Sequence, residues 1–425
     1  MRVMVITRAP WRNDNNTGNT LTGFFKDFCD VEFYSLCMRE QSPQNSVSKR
    51  NFFISERQML KRLCGKRVSV GAENSSEETD DGIEKAAYDA AKKFTNYAVY
   101  FCRELIWNIG GWKNENLRQY IDEVKPDIVF FPVFGCFYPH KVLRYIHSLT
   151  DAKIVLFHAD DNYTLKQFSL SPLYWIYRIC LRKWVRRTVE ISDMQYCISD
   201  VQKADYDKAF GCECKILTKF ADFSKLPALK EEYNKPLQLV YTGNININRW
   251  KSLAMLANVL CRINSEYAKA QLRIYTSTQL TKAMKKALEI DGTSFLMGSV
   301  PSDEIPRIQA NADILVHAEA TDYRNRLIVR QSFSTKIVDY LKAGRPIVAI
   351  GSKEVASIKH LIDHDCAIVV DCEQDLYNSL SSIVDDKDAL QDLARKAYEC
   401  GRLCHNQDDM LAMLKCDFNT VLSKK

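Results

Sequence analysis

The sequence predicts an α/β protein built of two doubly wound domains, and three observations carry that prediction. From Leu237 onward the apolar runs LQLVYTG, AQLRIYTS, SFLMGSV, ADILVHAE, PIVAIG and CAIVVDC alternate with helical segments, the spacing of parallel βαβ units. The stretch Phe333 to Ile350, FSTKIVDYLKAGRPIVAI, joins a polar turn to an amphipathic helix, a glycine stop and a buried strand, which is one complete αβ unit. A chain of 425 residues is long for one core and comfortable for two.

In chain order, strand Arg2–Thr7 leads through a polar loop to a helix from about Thr20 and strand Val31–Leu36. A charged, irregular stretch follows, and its acidic segment Gly71 to Gly82 has no large apolar residue and reads as a mobile loop. A helical run to about Trp107 and a helix Glu115–Val124 precede strand Asp127–Val133. Strand Lys153–Asp160, a helix rich in aromatic and basic residues, and strands Met194–Ser199 and Lys215–Ala221 complete the first half. Pro227 and Pro236 bracket a charged segment, Asp222 to Lys235, which reads as the linker. The expected domains are therefore 1–228 and 236–400, with 401–425 a terminal helix that can cross back to the first.

Composition narrows the function classes. The net charge of +6 arises from 59 basic against 53 acidic side chains, which argues against a dedicated nucleic-acid surface and allows at most a basic patch. Fifteen cysteines, odd in number and without paired spacing, read as the reduced thiols of a cytoplasmic protein. The opening MRVMVIT starts directly as a strand and lacks the pattern of a signal peptide. No apolar run approaches the ~20 residues of a membrane span. The nearest, Leu173 to Val189, is broken by Arg178, Arg182, Lys183, Arg186 and Arg187. Its mixture of aromatics and cations suits the anionic inner face of a cytoplasmic membrane, or equally a half-buried helix with snorkelling cations.

The turn at Phe333 is where chemistry is expected. Ser334 and Thr335 can cap the helix, its first N–H groups and positive dipole end face outward, and Lys336 adds a full charge there, which together suit a phosphate. Gly344 ends the helix and Arg345-Pro346 releases the chain into the strand. Lys336, Asp339, Tyr340 and Ala343-Gly344-Arg345-Pro346 resemble the donor-phosphate motif of GT-B glycosyltransferases, specifically the family 4-like enzymes of bacterial surface polysaccharide synthesis. The resemblance is specific from about Leu237 to Asp371 and diffuse before that.

It implies two Rossmann-like domains facing a central cleft, the first binding the acceptor and the second a nucleoside diphosphate sugar, with no other cofactor and no metal. It implies transfer of a hexose or similar sugar to a glycan or lipid-linked oligosaccharide, with retention of configuration. Retaining members carry two Glu in an E-x7-E arrangement, whereas this chain has Gln331 and Asp339. Asp339 can still accept from donor ribose hydroxyls, and Gln331 can position a sugar hydroxyl without acting as a carboxylate. A nucleotide-sugar 2-epimerase of the same architecture and a binding-only subunit of a transferase complex are the alternatives, separable by the product formed from donor alone and by binding without turnover.

Ligands of doubly wound sheets lie beyond the carboxyl ends of the strands. Thr242-Gly243-Asn244 follows the first strand of the second domain, and Arg249 beyond it is the candidate clamp on the donor diphosphate, or a solvated helix-start arginine. Tyr275-Thr276 and Gly298-Ser299-Val300 end the next two strands, and the resemblance places the nucleotide base near the latter. In the first domain His158 ends a strand beside Asp160-Asp161 and is the candidate catalytic histidine, expected to face the cleft. Asp160 and Asp161 are candidate acceptor contacts; neighbouring residues on a strand end point apart, so they make a poor metal pair. Gly18, Asn19 and Thr20, in the polar loop from Asn13, correspond to the acceptor-side loop of the resemblance, or to an ordinary capped helix start. Cys212 with Cys214, and Cys400 with Cys404 and His405, lack the second half of a zinc site.

Overall fold

Apolar runs bounded by turn residues become the strands of two separate sheets. The computed structural model describes residues 1–13, 16–40, 43–73, 97–225, 227 and 230–424. Most of the acidic segment expected to be a mobile loop, together with Asp14 and Asn15, lies outside them. The chain divides into two compact units, Met1–Leu217 with Leu411–Lys425, and Thr218–Met410, so the segment Asp222 to Lys235 falls inside the second.

The first unit holds β1 (Arg2–Thr7), β2 (Glu32–Cys37), β3 (Ser48–Phe53), β4 (Ala72–Glu73), β5 (Ile128–Pro132), β6 (Lys153–His158), β7 (Met194–Cys197) and β8 (Lys215–Ile216). Their order in the sheet is β4-β3-β2-β1-β5-β6-β7-β8, with β4 antiparallel to β3 and the other pairs parallel. β1 and β5 are buried along almost their whole length, as strands covered on both faces must be. The charged stretch after β2, expected to be irregular, contains β3 and the helix Glu56–Leu63, which Ser55 caps by accepting from Gln58 N. Met59 of that helix is buried while Leu60 and Leu63 on the same stripe stay largely exposed, and eight residues are a short window in which to read a helical period. The strand expected over Lys215–Ala221 is two residues long. The C-terminal helix Gln407–Ser423 brings buried Asp417 to Tyr196 Oη, which donates to it at 2.7 Å, and packs Phe418 near Phe25 and Phe28.

The second unit holds β9 (Leu237–Thr242), β10 (Ala270–Tyr275), β11 (Ser294–Gly298), β12 (Ile314–Ala318), β13 (Ile347–Ile350) and β14 (Ile368–Val370). All pairs are parallel and the order is β11-β10-β9-β12-β13-β14. The sheet is wound outward in both directions from β9 and β12, and the crevice at that reversal is where such sheets bind ligands. Its core gathers Leu239, Tyr241, Leu256, Leu272, Val316 and Val348, all nearly fully buried.

Candidate functional site

The loop after β9 and the end of β12 meet at this reversal. Gly243 has φ +132°, and a β-carbon there would lie 2.8 Å from Lys336 Nζ, so only glycine lets the lysine cross the strand end. Lys336 is half-buried. Its ammonium donates to Tyr241 Oη at 3.2 Å and sits 4.4 Å from the centroid of the same ring. Burial lowers its pKa and the like charge of Arg249 adds to that, against the pull of Tyr340, Glu319 and Asp339. It begins the helix Lys336–Ala343, which ends at Gly344 with φ 58° in the left-handed region. Thr335 is the N-cap but makes no side-chain cap bond, contrary to the expected role of the Ser334 and Thr335 hydroxyls. Its backbone is already helical, which turns the hydroxyl away from the first-turn N–H groups.

Arg249 opens the helix Arg249–Ile263 and is not a solvated surface arginine. Its Nε and Nη2 donate to the two oxygens of Glu319 at 2.9 and 3.2 Å, and Nη1 donates to Asn244 Oδ1 at 3.1 Å. Burial works against its charge, but the Glu319 carboxylate outweighs burial and the guanidinium pKa moves up. Glu319 itself is 2% exposed. Sequence reasoning assigned it no role; its position at the end of β12 was the available signal. Behind the pair His317 is fully buried, and neither ring nitrogen has a hydrogen-bond partner among the described residues. Burial, then the charges of Lys336 and Arg249, push its pKa well below the usual range, so the ring is neutral.

Other expected donor residues fall around this centre in different ways. Thr242 is buried and bonded to Tyr340 Oη and Gln309 Nε2, so its side chain braces the Lys336 helix instead of facing outward. Asn244 is exposed and orients Arg249. Thr276 is buried and its hydroxyl accepts from Thr278 N, whereas Gly298 and Ser299 are exposed and Val300 and Tyr275 half-exposed. Asp339, in the first turn of the lysine helix, accepts from Lys219 Nζ at 2.5 Å. Gln331 and Phe333 are buried, the latter against the rings of His360 and His405. Ser334 N donates to Ser357 Oγ at 3.2 Å.

In the first unit the expectations for the acceptor side need correction. His158 does not end in open space: it is fully buried, bonded to Gln195 Oε1 at 3.1 Å, and packed edge-on to Tyr206 and parallel to Phe210. Burial lowers its pKa to about 4, so it is a neutral core histidine without access to a substrate proton in this conformation. Asp161 is buried too, paired with Arg178 at 2.8 Å and accepting from Tyr163 N and Thr164 N, which makes it the organiser of its own loop. Asp160 is exposed and remains a candidate contact. The first helix spans Asn16–Phe25, four residues earlier than expected, so Gly18, Asn19 and Thr20 are helical. A β-carbon on Gly18 would meet Arg12 O at 1.9 Å, so the close approach of the chain's own backbone already requires this glycine.

Residues 236–386 match the family model described as glycosyl transferases group 1. Among solved structures, the chain is similar to sucrose-phosphate synthase from Thermosynechococcus elongatus, at TM-score 0.65 and 9% identity over 100% of both chains. It is similar to HepE from Anabaena, solved with UDP and glucose, at TM-score 0.64 and 10% identity over 99% of this chain and 100% of that one. TarM of S. aureus aligns at TM-score 0.64 and 10% identity over 98% of both chains. No curated protein sequence matches the chain. The protein has the GT-B fold, and the part of the chain that matches the glycosyl transferases group 1 model lies within its second unit.

Proposed function

We propose that the protein transfers a sugar from a nucleoside diphosphate sugar to a glycan or lipid-linked oligosaccharide in bacterial surface polysaccharide synthesis. The observation that carries the reading is the Lys336 ammonium laid over Gly243 at the reversal of the second sheet, beside Arg249. Lys336, with the N-terminus of its helix, meets the diphosphate as negative charge grows on the leaving group. Glu319 and Asn244 hold Arg249 in one geometry, so little reorganisation is needed when the charge develops. Asp339 is the partner assigned to the donor ribose and Gln331 to a sugar hydroxyl, and retention is the expected stereochemistry. The donor needs no divalent ion in this scheme. HepE was solved with UDP-glucose, so uridine nucleotides are the first donors to test.

The acceptor side is assigned to the first unit, at a membrane surface. Leu165, Phe168, Leu170, Leu173, Ile176 and Ile179 are all at least 45% exposed, on and just before the helix Pro172–Val189. Such a cluster suits the headgroup boundary where lipid-linked acceptors reside. Among the described residues no helix is long and apolar enough to cross a membrane.

A thermal-shift screen of nucleotide sugars followed by turnover with the best binder tests the donor assignment. Lys336→Ala is expected to keep the fold and lower kcat/KM by about 2–4 kcal/mol, roughly thirtyfold to a thousandfold. Undiminished turnover in the folded variant would move the site elsewhere.

A further inference from the structure

Two helix C-termini in the second unit bring together a set of soft ligands unrelated to the donor residues. His360 lies in the helix Ala356–Asp363 and His364 caps it, while Cys400 and Cys404 lie in the helix Lys387–Cys404 and His405 caps that one. In each helix the pair is spaced i, i+4, which sets both side chains on one face. One ligand atom each of His360, Cys400 and Cys404 lies within 4.8 Å of the others. His360 Nε2 is 3.6 Å from Cys400 Sγ and 3.2 Å from His405 Nε2, and Cys404 Sγ is 3.5 Å from His364 Nε2. A tetrahedral zinc ion with bonds of about 2.3 Å to sulfur and 2.0–2.1 Å to nitrogen separates its ligands by about 3.4 Å (N···N) and about 3.6 Å (N···S). The His360–Cys400 and His364–Cys404 separations match the N···S value, and the His360–His405 separation is slightly shorter than the N···N value.

We propose that His360, Cys400 and Cys404 bind one zinc ion per chain, with the fourth position taken by an imidazole from His405 or His364 on either side. Thiolate and imidazole in tetrahedral array select zinc over hard cations such as magnesium. His405 Nδ1–H donates to Lys219 O at 3.1 Å, which leaves the Nε2 lone pair directed at the cluster, the outer-shell support typical of a metal-bound histidine. Both helices end here, so their dipoles place partial negative charge beside the cation. Cys400 and His405 are buried, Cys404 half-exposed and His364 exposed, which leaves the ion a path in from solvent. Binding replaces the two thiol protons, released to solvent, with two Zn–S bonds and involves no oxidant. The site would clamp the two helix ends behind Phe333, whose ring centroid lies 5.2 Å from that of His360 and 5.5 Å from that of His405.

The test uses the full chain, reduced and stripped of metal, titrated with zinc against a chromophoric chelator and with cobalt(II) as a spectroscopic probe. One equivalent is expected to bind, with a thiolate-to-cobalt charge-transfer band and a rise in Tm. Cys404→Ser, at a half-exposed position that should not disturb folding, should weaken zinc at least tenfold and diminish the band. Cys400→Ser with Cys404→Ser should abolish both, while Cys372→Ser, in a separate acidic group, should change neither. Less than stoichiometric binding by the reduced wild type, or zinc binding undiminished in folded Cys404→Ser, would overturn the site.

Discussion

At the scale of single residues, the decisive contrast is between two ion pairs. Arg249 and Glu319 have side chains only 15% and 2% exposed, whereas Lys219 and Asp339 are 35% and 38% exposed. Removing one partner of a buried pair strands the other charge, at a cost of about 3–5 kcal/mol, while an exposed pair contributes about 0–1 kcal/mol. Arg249→Ala is therefore expected to lower unfolding free energy in urea by several times the effect of Lys219→Ala. Replacing the pair together, Arg249→Met with Glu319→Leu, should recover most of that stability but not turnover. Equal losses for the two alanine variants would mean that Arg249 is solvated in solution.

At the scale of elements, the helix Pro172–Val189 holds Arg178 and Arg182 against its own unit and leaves Lys183, Arg186 and Arg187 exposed, alongside exposed aliphatics. Arg178 pairs with buried Asp161, Arg182 donates to Tyr163 O and stacks at 4.1 Å from its ring centroid, and Arg186 donates to Tyr163 Oη. Arg178 and Arg182 thus brace their own loop, and the exposed apolar cluster from Leu165 to Ile179, with the exposed Lys183, Arg186 and Arg187, is the surface that the proposed function assigns to a membrane. Each aliphatic side chain inserted is worth about 1.5–3 kcal/mol at most. Leu170→Gln with Ile176→Gln is thus expected to reduce cosedimentation with vesicles containing anionic lipid and leave nucleotide-sugar binding intact. Arg182→Glu with Arg186→Glu should instead lower thermal stability. Unchanged sedimentation of the glutamine variant would remove the membrane from the proposed function.

At the scale of the whole molecule, buried neutral histidines set a pH dependence. Burial lowers His140 and His158 to about 4, and lowers His317 well below its ordinary value. In the unfolded chain these rings protonate near 6.5. Above that pH both states are neutral and the full stability is present. As pH falls from about 6.5 towards 4, the unfolded chain takes up protons that the folded one refuses, so stability drops by up to about 1.4 kcal/mol per pH unit for each ring. Urea midpoints at pH 7.5, 6 and 5 should fall progressively. A flat profile would show that the rings can protonate in place.

Much of this was legible locally. Strand alternation after Leu237, the lysine helix and its Gly344 stop are set by periodicity and by one left-handed residue, and these read directly from neighbouring positions. The short helix Glu56–Leu63 was not legible because its eight residues are fewer than the roughly 11–18 over which a helical period is read. What lay beyond reading depended on partners far along the chain. Glu319 meets Arg249 across 70 positions because the sheet order sets β9 beside β12. The end of β6 became core because Gln195 of β7 and Phe210 of the next helix closed over His158, which no spacing around His158 foretells. Cys400 and Cys404 have no second pair of ligands in their own neighbourhood, and packing brings His360 and His364 to them from 40 positions away. The sequence by itself determined most of the segments that fold as strands and helices and where the Lys336 helix begins and ends, since those follow from short-range sterics and apolar period. Only the tertiary structure decided which charges are paired, which histidine is buried and which thiols meet imidazoles, since those depend on strand order and on what packs over each strand end.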